Sequence, residues 1–280
     1  MTYTELWHRL TPLYDSNEAK AIVRIVLEER FGLSVTDIYT GKVTQLSAHA
    51  VAELRKIMTR LEQAEPVQYV LGKACFYGRS FTVSQGVLIP RPETEDLCTW
   101  VIETVLSSFS RHEPCLLDMG TGSGCIAATL ALNIPHAHVS AWDISPEALV
   151  VARANVKALK ASVDVAEVDA LNLPSDSDRW EIIVSNPPYI CRKEKADMED
   201  NVVCYEPAEA LFVPDDDPLL FYRAIARYAF SALRVGGMLF FEINPLYVQS
   251  LETLLCETGF KDTELKLDRF GRQRFIKVMR

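Results

Sequence analysis

The stretch Cys115-Leu-Leu-Asp-Met-Gly-Thr-Gly-Ser-Gly-Cys-Ile-Ala-Ala-Thr-Leu-Ala-Leu-Asn133 decides the fold of this chain. Its first five residues, Cys115–Met119, form the apolar run of a buried strand, and a helix is predicted from Cys125. Between the two, Gly120, Gly122 and Gly124 permit a tight turn and a close approach of the backbone to a ligand. A strand, a glycine-rich turn and a helix in this order indicate an α/β unit that binds a ligand beyond the carboxyl end of the strand.

Outward from this stretch, predicted strands and helices alternate. The strands are Cys115–Met119, Ala137–Trp142, Val163–Val168, Glu181–Ser185 and Met238–Ile243, and helices at Glu93–Phe109, Pro146–Lys160 and Pro218–Leu233 accompany them. Such alternation predicts an α/β fold with a mostly parallel sheet covered by helices on both faces. The last two strands, Thr263–Leu267 and Arg274–Val278, are joined by a short turn and are expected to pair antiparallel. Residues 110–114 and 190–217 are predicted to be a loop and an irregular segment.

The first part of the chain has a different pattern. Residues 1–72 have helical spacing of apolar side chains and predict a small helical domain. Residues 73–90 contain two short β-rich runs on either side of Gly78-Arg79, which predict a hairpin linker. Residues 91–280 form the predicted α/β domain.

Composition narrows the class of protein. The 280 residues are 49% hydrophobic and 24% charged with a net charge of −9, which excludes a largely disordered or fibrous chain and makes general binding of phosphate backbones unfavourable. Glu5, His8 and Arg9 interrupt any signal-like run, so we expect a cytoplasmic protein with no membrane association. The seven cysteines are scattered without a C-x-x-C pair, which predicts reduced thiols and no metal site.

Acidic residues at the strand ends suggest a nucleoside cofactor. Asp143 follows the second strand, where a carboxylate can accept hydrogen bonds from ribose hydroxyls. The loop and Asp143 together do not separate a dinucleotide from S-adenosylmethionine. Asp118, directly before the glycines, suits a positively charged ligand, or else it caps the following turn. Asp169, after the third strand, either accepts from an adenine amino group or is a turn residue.

The segment Asn186-Pro-Pro-Tyr189 follows the fourth strand and is expected to face the same crevice. The prolines lack an N–H group, and Asn186 is held extended before Pro187. The side-chain carbonyl of Asn186 and the backbone carbonyl of Pro187 can therefore accept hydrogen bonds from one planar –NH2 group. Tyr189 offers an aromatic face for a planar amide or base. The segment predicts a pocket that holds an amino or amide nitrogen in line with a methyl donor, with no dedicated base.

Four motifs together resemble the release factor glutamine methyltransferase family, called PrmC or HemK. They are Ile89-Pro-Arg-Pro-Glu-Thr-Glu95, Asp118–Gly124, Asn186–Tyr189 and Tyr205-Glu-Pro207, and Asp268–Arg274 resembles the ending of the family. The resemblance covers nearly the whole chain. It implies a Rossmann-like, S-adenosylmethionine-dependent methyltransferase domain with a seven-stranded, mostly parallel sheet, preceded by a small helical bundle and a β-hairpin linker.

The resemblance also implies an activity and a site. The activity is methylation of the side-chain nitrogen of the glutamine in the Gly-Gly-Gln motif of class 1 peptide chain release factors, with S-adenosylhomocysteine as the product and no metal. The N-terminal helical domain would grip the release factor. The implied cofactor contacts are Gly120, Thr121, Gly122, Ser123, Gly124, Asp143, Asp169, Ala170 and Asn186. The substrate pocket is Asn186, Pro187, Pro188 and Tyr189, among which Asn186, Pro187 and Tyr189 are the catalytic candidates.

Four positions depart from the family pattern. Met119 stands where leucine is common, Tyr205 where phenylalanine is frequent and Ala170 where some relatives have a large aromatic residue. Asn244 stands where glycine is expected, so the sequence does not determine the local backbone geometry at this position. We expect a monomer, although the sequence does not determine the oligomeric state.

Three alternatives compete with this interpretation. An amino-group methyltransferase acting on a nucleic-acid base would need a basic track, and acidic residues dilute the basic cluster Arg192-Lys193-Lys195. A nucleotide-dependent oxidoreductase would place Asp118 beside a pyrophosphate. A non-catalytic binding module would bind the cofactor without transferring a methyl group.

Overall fold

The computed structural model describes residues 1–109 and 113–280, which divide into two compact units. The first unit contains Met1–Lys73 and Glu199–Tyr205, and the second contains Ala74–Met198 and Glu206–Arg280. The chain therefore contributes one later segment to the unit formed by its beginning. Across the residues described, no helix combines the length and apolar character needed to cross a membrane.

The first unit is helical. Its helices are α1 (Tyr3–His8), α2 (Ser16–Phe31), α3 (Val35–Tyr39), α4 (Ala48–Leu61), α5 (Val67–Leu71) and the later α9 (Asp200–Tyr205). Asp15, Ser34 and Ser47 cap α2, α3 and α4 by accepting backbone N–H bonds at their first turns. Their apolar faces share one core that includes Leu6, Leu27, Leu54 and Met58. The helical prediction for this region is confirmed.

The second unit alternates strands and helices. Its elements are β1 (Lys73–Phe76), β2 (Arg79–Thr82), α6 (Pro92–Ser108), β3 (Cys115–Met119), α7 (Cys125–Asn133), β4 (His138–Asp143), α8 (Pro146–Leu159), β5 (Val163–Glu167), β6 (Trp180–Ser185), β7 (Ile190–Cys191), α10 (Ala208–Leu211), β8 (Phe212–Val213), α11 (Leu220–Ala232), β9 (Leu233–Glu242), α12 (Val248–Thr258), β10 (Lys261–Leu267) and β11 (Gln273–Met279).

Seven of these strands form one sheet in the order β10-β11-β9-β6-β3-β4-β5. The strands β9, β6, β3, β4 and β5 are parallel, whereas β11 pairs antiparallel with both β9 and β10. This arrangement is the S-adenosylmethionine-dependent methyltransferase fold, and it confirms the predicted sheet and its antiparallel final pair.

Successive strand residues enter separate cores on the two faces of the sheet. Leu116 and Phe240 pack with α6 and α7 on one face, whereas Leu117 and Phe241 pack with α11 and α12 on the other. The alternation follows from the two-residue period of a strand. Because both faces are covered, the central strands are apolar throughout, and β6 is buried along its whole length.

Several predicted boundaries were wrong. The turn of the hairpin is Tyr77-Gly78, both with positive φ, rather than Gly78-Arg79, because a two-residue type I′ turn best matches the twist of the strands. The stretch 190–217, predicted irregular, holds β7, α9, α10 and β8, which are too short to produce a sequence period. β9 begins five residues earlier than predicted, at Leu233. Of the predicted loop 110–114, residues 110–112 lie outside the described residues.

A buried asparagine, which the sequence pattern did not single out, joins the hairpin to the glycine loop. The side chain of Asn155 on α8 accepts from the backbone N–H of Thr82 at 2.7 Å. Its Nδ2 donates to the carbonyl oxygens of Thr82 at 2.9 Å and Ser123 at 2.8 Å. Asn155 is 1% exposed, so no solvent can replace these bonds.

The substitution Asn155→Ala should therefore destabilise the protein strongly. It leaves three backbone groups without partners, and one buried unsatisfied group costs about 1–3 kcal/mol. We expect a loss of about 3 kcal/mol in the free energy of unfolding, measured by urea denaturation. Lys157→Ala, on the exposed side of the same helix, is the control and should change stability little. Equal effects of the two substitutions would contradict this role for Asn155.

Candidate active site

The glycine loop lies at the carboxyl end of β3. Gly120, Gly122 and Gly124 have φ values of 75°, 55° and 79°, a region that side chains with a Cβ rarely occupy. A Cβ at Gly120 or Gly122 would project into open space, whereas one at Gly124 would lie 3.2 Å from the Cβ of Ala152. The first two glycines therefore leave an uncovered backbone surface for a ligand, and the third permits close packing of α7 on α8.

The N–H groups of this loop are largely used within the protein. Those of Gly120 and Thr121 both donate to the carbonyl oxygen of Trp142, and that of Gly124 donates to Thr121. The N–H of Gly122 donates to Asp143 Oδ2 at 2.8 Å. A pyrophosphate site needs several backbone N–H groups aimed at the ligand. The loop therefore does not fit a dinucleotide pyrophosphate, which disfavours the oxidoreductase alternative.

Asp118 is a buried cap of the turn between β3 and α7. Its Oδ2 accepts from the Thr121 hydroxyl at 2.6 Å and from the Ala127 N–H at 3.1 Å, in the first turn of α7. Of the two interpretations of this residue, the structure supports the turn cap. Oδ1 is buried and has no hydrogen-bond partner. Burial raises the pKa of this carboxyl group to about 7, with a smaller contribution from the nearby negative charge of Asp143.

Asp143 and Asp169 both lie at the same edge of the sheet and both make local hydrogen bonds. Asp143 is half-buried, and its two oxygens accept from the N–H groups of Gly122 and Ser145. Asp169 Oδ1 accepts from the Leu171 N–H, which makes it a turn residue after β5. Ala170 packs against the core on the α11–α12 face. A carboxylate oxygen accepts more than one hydrogen bond, so both acids retain acceptor capacity.

The segment Asn186–Tyr189 begins directly beside the glycine loop. β3 and β6 are adjacent and parallel, and Met119 pairs with Ser185 in their register. The Ser185 hydroxyl donates to the Met119 carbonyl oxygen at 2.6 Å. Gly120 and Asn186, the next residues along the two strands, therefore emerge side by side. The structure brings together the two motifs that the sequence predicted to share a crevice.

Two buried residues behind this segment were missed by the sequence analysis. Glu242, at the end of β9, is 2% exposed and accepts from the Thr94 hydroxyl at 2.7 Å and the Tyr189 hydroxyl at 3.1 Å. Asn186 Nδ2 lies 3.4 Å from Thr94 Oγ1. Glu242 could have been noticed as the single acid in the apolar run Met238–Ile243. Thr94 lies within the motif Ile89–Glu95, but no role was predicted for it.

Charges near Glu242 affect its ionisation in opposite directions. The pKa of Glu242 is raised because burial is the largest effect, and its hydrogen bonds and the positive charge of Arg274 offset the rise only in part. Burial also raises the pKa of the Tyr189 phenol, and the negative charge of Glu242 adds to this effect. Tyr189 therefore stays neutral and acts as a hydrogen-bond donor.

Asn244 replaces the expected glycine without strain. Its φ of −78° and ψ of 120° are open to any residue, and its side chain caps a short 3-10 turn by accepting from Leu246. Its Nδ2 donates to the Tyr189 carbonyl oxygen at 3.1 Å and to the Glu194 carboxylate. The departure from the family pattern thus adds a support for the Asn186–Tyr189 segment.

The remaining quoted motifs also have defined contacts. Glu206 accepts from the Ile89 N–H at 3.2 Å and from Arg91 at 2.6 Å, which joins the proline-rich segment to the loop after α9. Arg269 donates to both carboxylate oxygens of Asp96. The hydroxyl of Tyr205 donates to the Gln63 carbonyl oxygen at 2.8 Å within the first unit, so it adds a bond that phenylalanine could not make.

Histidine, cysteine and acidic side chains do not form a recognisable metal site here. Within residues 1–109 and 113–280, no group of three or more of them is arranged to hold an ion.

The raised pKa of Asp118 predicts a pH-dependent effect of Asp118→Asn. A carboxyl pKa raised in the folded state favours folding below the unfolded pKa near 4, and this contribution is lost as the pH rises to about 7. The stability of the variant relative to the parent should therefore increase from about pH 4 to about pH 7 and then level off, by an amount of the order of a few kcal/mol.

The measurement is urea denaturation of both proteins at several pH values. Asp164→Asn, at an exposed acid on β5, is the control and should show no such trend. Parallel pH profiles of the Asp118 variant and the parent would contradict the raised pKa.

Comparison with known proteins identifies the family of this chain. Residues 6–72 match the family model for the PrmC N-terminal domain, and residues 96–209 match that for the methyltransferase small domain. The release factor glutamine methyltransferase of Bacteroides thetaiotaomicron is 44% identical over 272 residues, which cover 97% of this chain and 96% of that protein. The enzyme of the same name from Flavobacterium psychrophilum is 38% identical over 275 residues, 98% of this chain and 96% of that protein.

A solved structure shows the same fold at low sequence identity. The catalytic domain of hMettl16, in complex with the MAT2A 3′UTR hairpin 6, matches with a TM-score of 0.57 and 18% identity over 72% of this chain and 75% of that chain. This likeness concerns the fold alone. The two relatives, in contrast, match this chain over nearly its whole length. Together with the two family models they establish that this chain belongs to the release factor glutamine methyltransferase family.

Proposed function

We propose that this protein transfers a methyl group from S-adenosylmethionine to the side-chain nitrogen of the glutamine in the Gly-Gly-Gln motif of class 1 peptide chain release factors. The observation that carries the proposal is the placement of Asn186–Tyr189 next to the glycine loop, with Ser185 bonded to Met119. An amide pocket and a cofactor loop then share one edge of the sheet. The names of the full-length relatives support the release factor as substrate.

The residues at this edge fit the cofactor. We assign to it Gly120, Thr121, Gly122, Ser123, Gly124, Asp143, Asp169, Ala170 and Asn186. The open backbone at Gly120 and Gly122 leaves room for a ligand, and the half-buried acid Asp143 favours a cation there. S-adenosylmethionine supplies an electrophilic sulfonium methyl group when it is bound. Asp143 would accept from the ribose hydroxyls, and Asp169 from the adenine amino group.

The chain's own residues would orient the glutamine. Asn186 Oδ1 and the Pro187 carbonyl oxygen accept the two protons of the substrate –NH2 group, and Pro188 keeps the loop rigid. The Tyr189 ring covers the planar amide while its hydroxyl is held by Glu242. Alignment matters because an amide nitrogen is a weak nucleophile, and orientation alone can contribute up to about 7–11 kcal/mol in favourable cases. We assign no side chain as a base: once the methyl group has moved from sulfur to nitrogen, the nitrogen is acidic and releases its extra proton to water.

Domain roles follow from the same proposal. The helical domain, residues 1–72, would recognise the body of the release factor, residues 73–90 would link the domains, and residues 91–280 would carry the chemistry. We propose a monomer as the active unit. A substrate that acts in translation supports a cytoplasmic location for the enzyme.

Asp143→Ala should weaken cofactor binding. Loss of ribose hydrogen bonds worth about 1 kcal/mol each, together with loss of the bond from Gly122, should raise the Kd for S-adenosylmethionine at least about tenfold. Calorimetric titration measures this, and Asp164→Ala, an exposed acid on β5, is the control. Unchanged affinity of the Asp143 variant would remove Asp143 from the cofactor site.

The proposed reaction is tested by methyl transfer from labelled S-adenosylmethionine to a purified class 1 release factor, with mass spectrometry of its peptides. We expect one methyl group on the Gly-Gly-Gln glutamine. Asn186→Ala should lower the transfer rate about 100-fold to 1,000-fold, as the loss of a preorganised polar partner does, with little change in cofactor affinity. Cofactor binding without modification of the factor would redirect the search to nucleic-acid bases, and labelled RNA and DNA in the same assay would test them.

A further inference from the structure

We propose that Thr94 and Glu242 are positioning residues that orient the side-chain amide of Asn186, so that its Oδ1 faces the substrate nitrogen. This inference rests on the methyl transfer proposed above. It concerns two residues that do not touch the reacting atoms but decide which end of the Asn186 amide is presented to them.

The argument starts from the hydrogen-bonding chemistry of Glu242. An ionised carboxylate accepts hydrogen bonds and has no proton to donate. Its two oxygens lie 2.7 Å from the Thr94 hydroxyl and 3.1 Å from the Tyr189 hydroxyl. Burial raises the pKa of Glu242, and its two hydroxyl donors and the positive charge of Arg274 oppose this rise by favouring the ionised form. In the structure both hydroxyl groups donate to Glu242.

The state of Thr94 then determines the orientation of Asn186. With its single proton directed at Glu242, Thr94 Oγ1 offers only lone pairs to its other neighbour. Asn186 Nδ2 lies 3.4 Å away, and the –NH2 end of the amide can donate to those lone pairs. The opposite orientation would place two acceptors, Oδ1 and Oγ1, against each other. The 3.4 Å distance is at the long end for such a bond.

The orientation has a direct consequence for the substrate. With its –NH2 end toward Thr94, Asn186 presents a carbonyl oxygen, which attracts the –NH2 of a glutamine side chain. The same oxygen repels a glutamate carboxylate, which has only acceptors. A reversed amide would present donors and lose this preference. Thr94 and Glu242 therefore contribute both to the rate and to the choice of an amide over an acid.

The kinetic test compares two substitutions of Thr94 with a valine substitution at Thr99, five residues further along α6. Thr94→Val keeps the shape of the side chain but removes the hydroxyl, whereas Thr94→Ser keeps the hydroxyl. Thr99→Val on α6 is the matched control, because the Thr99 hydroxyl bonds to the Glu95 carbonyl oxygen and not to Glu242. The assay is methyl transfer to a purified class 1 release factor, with the Kd for S-adenosylmethionine measured in parallel.

We expect Thr94→Val to lower kcat about tenfold, the cost of about one well-oriented hydrogen bond, with the cofactor Kd unchanged. Thr94→Ser should restore most of the lost activity, and Thr99→Val should behave like the parent. In an Asn186→Ala background Thr94→Val should cause no further loss, because its effect passes through Asn186. Equal fold-losses in both backgrounds, or equal effects of Thr94→Val and Thr99→Val, would overturn the proposal.

A second measurement is independent of the substrate. In protein labelled with 15N-asparagine, the Asn186 side-chain –NH2 signals, assigned with Asn186→Ala, should show nuclear Overhauser contacts to Thr94 and slow exchange with water. Both should disappear in Thr94→Val. Their absence from the parent would overturn the inferred orientation. Failure of the parent to methylate any release factor would instead refute the proposed function, and the spectra would still decide the orientation.

Discussion

The parallel pairing of β3 and β6 is the constraint on which the rest of the site depends. Adjacent strands lie about 4.8 Å apart, and both leave the sheet at the same edge. The bond from Ser185 to Met119 holds the last residues of the two strands in register. The glycine loop and Asn186 must then emerge as neighbours. A shift in this register would separate the two motifs, although neither sequence had changed.

Behind the segment Asn186–Tyr189, buried polar groups have hydrogen-bond partners. Glu242 holds the hydroxyls of Thr94 and Tyr189, and Asn244 holds the Tyr189 carbonyl oxygen. In a low-dielectric interior such bonds are strong and directional, and a missing partner is costly. The segment Asn186–Tyr189, which consists of loop residues and two prolines, is made rigid in this way. A rigid segment can hold the substrate nitrogen in line with the methyl group, and the proposed reaction depends on this alignment.

Much of the fold followed from patterns along the chain, and specific misses have physical causes. The apolar runs of β3, β4 and β6 are long enough to predict strands. The elements within residues 190–217 are two to six residues long, so no period could reveal them. Asn155 was missed because a single asparagine on a helix carries no signal, and its three bonds join parts of the chain that are distant in sequence. Asp118 was ambiguous because its role depends on burial, and burial is a tertiary property.

By itself, the sequence determined the order of the main strands and helices, the glycine loop, Asn186–Tyr189 and the family, because these are encoded in local spacing and residue type. Only the tertiary structure decided that the loop's N–H groups are turned inward, that Asp118 is a buried cap and that Thr94 and Glu242 stand behind Asn186. Thr94 and Asn186 are 92 residues apart, and Thr94 and Glu242 are 148 apart. Such pairings arise when the strands and α6 assemble, and no local pattern specifies them.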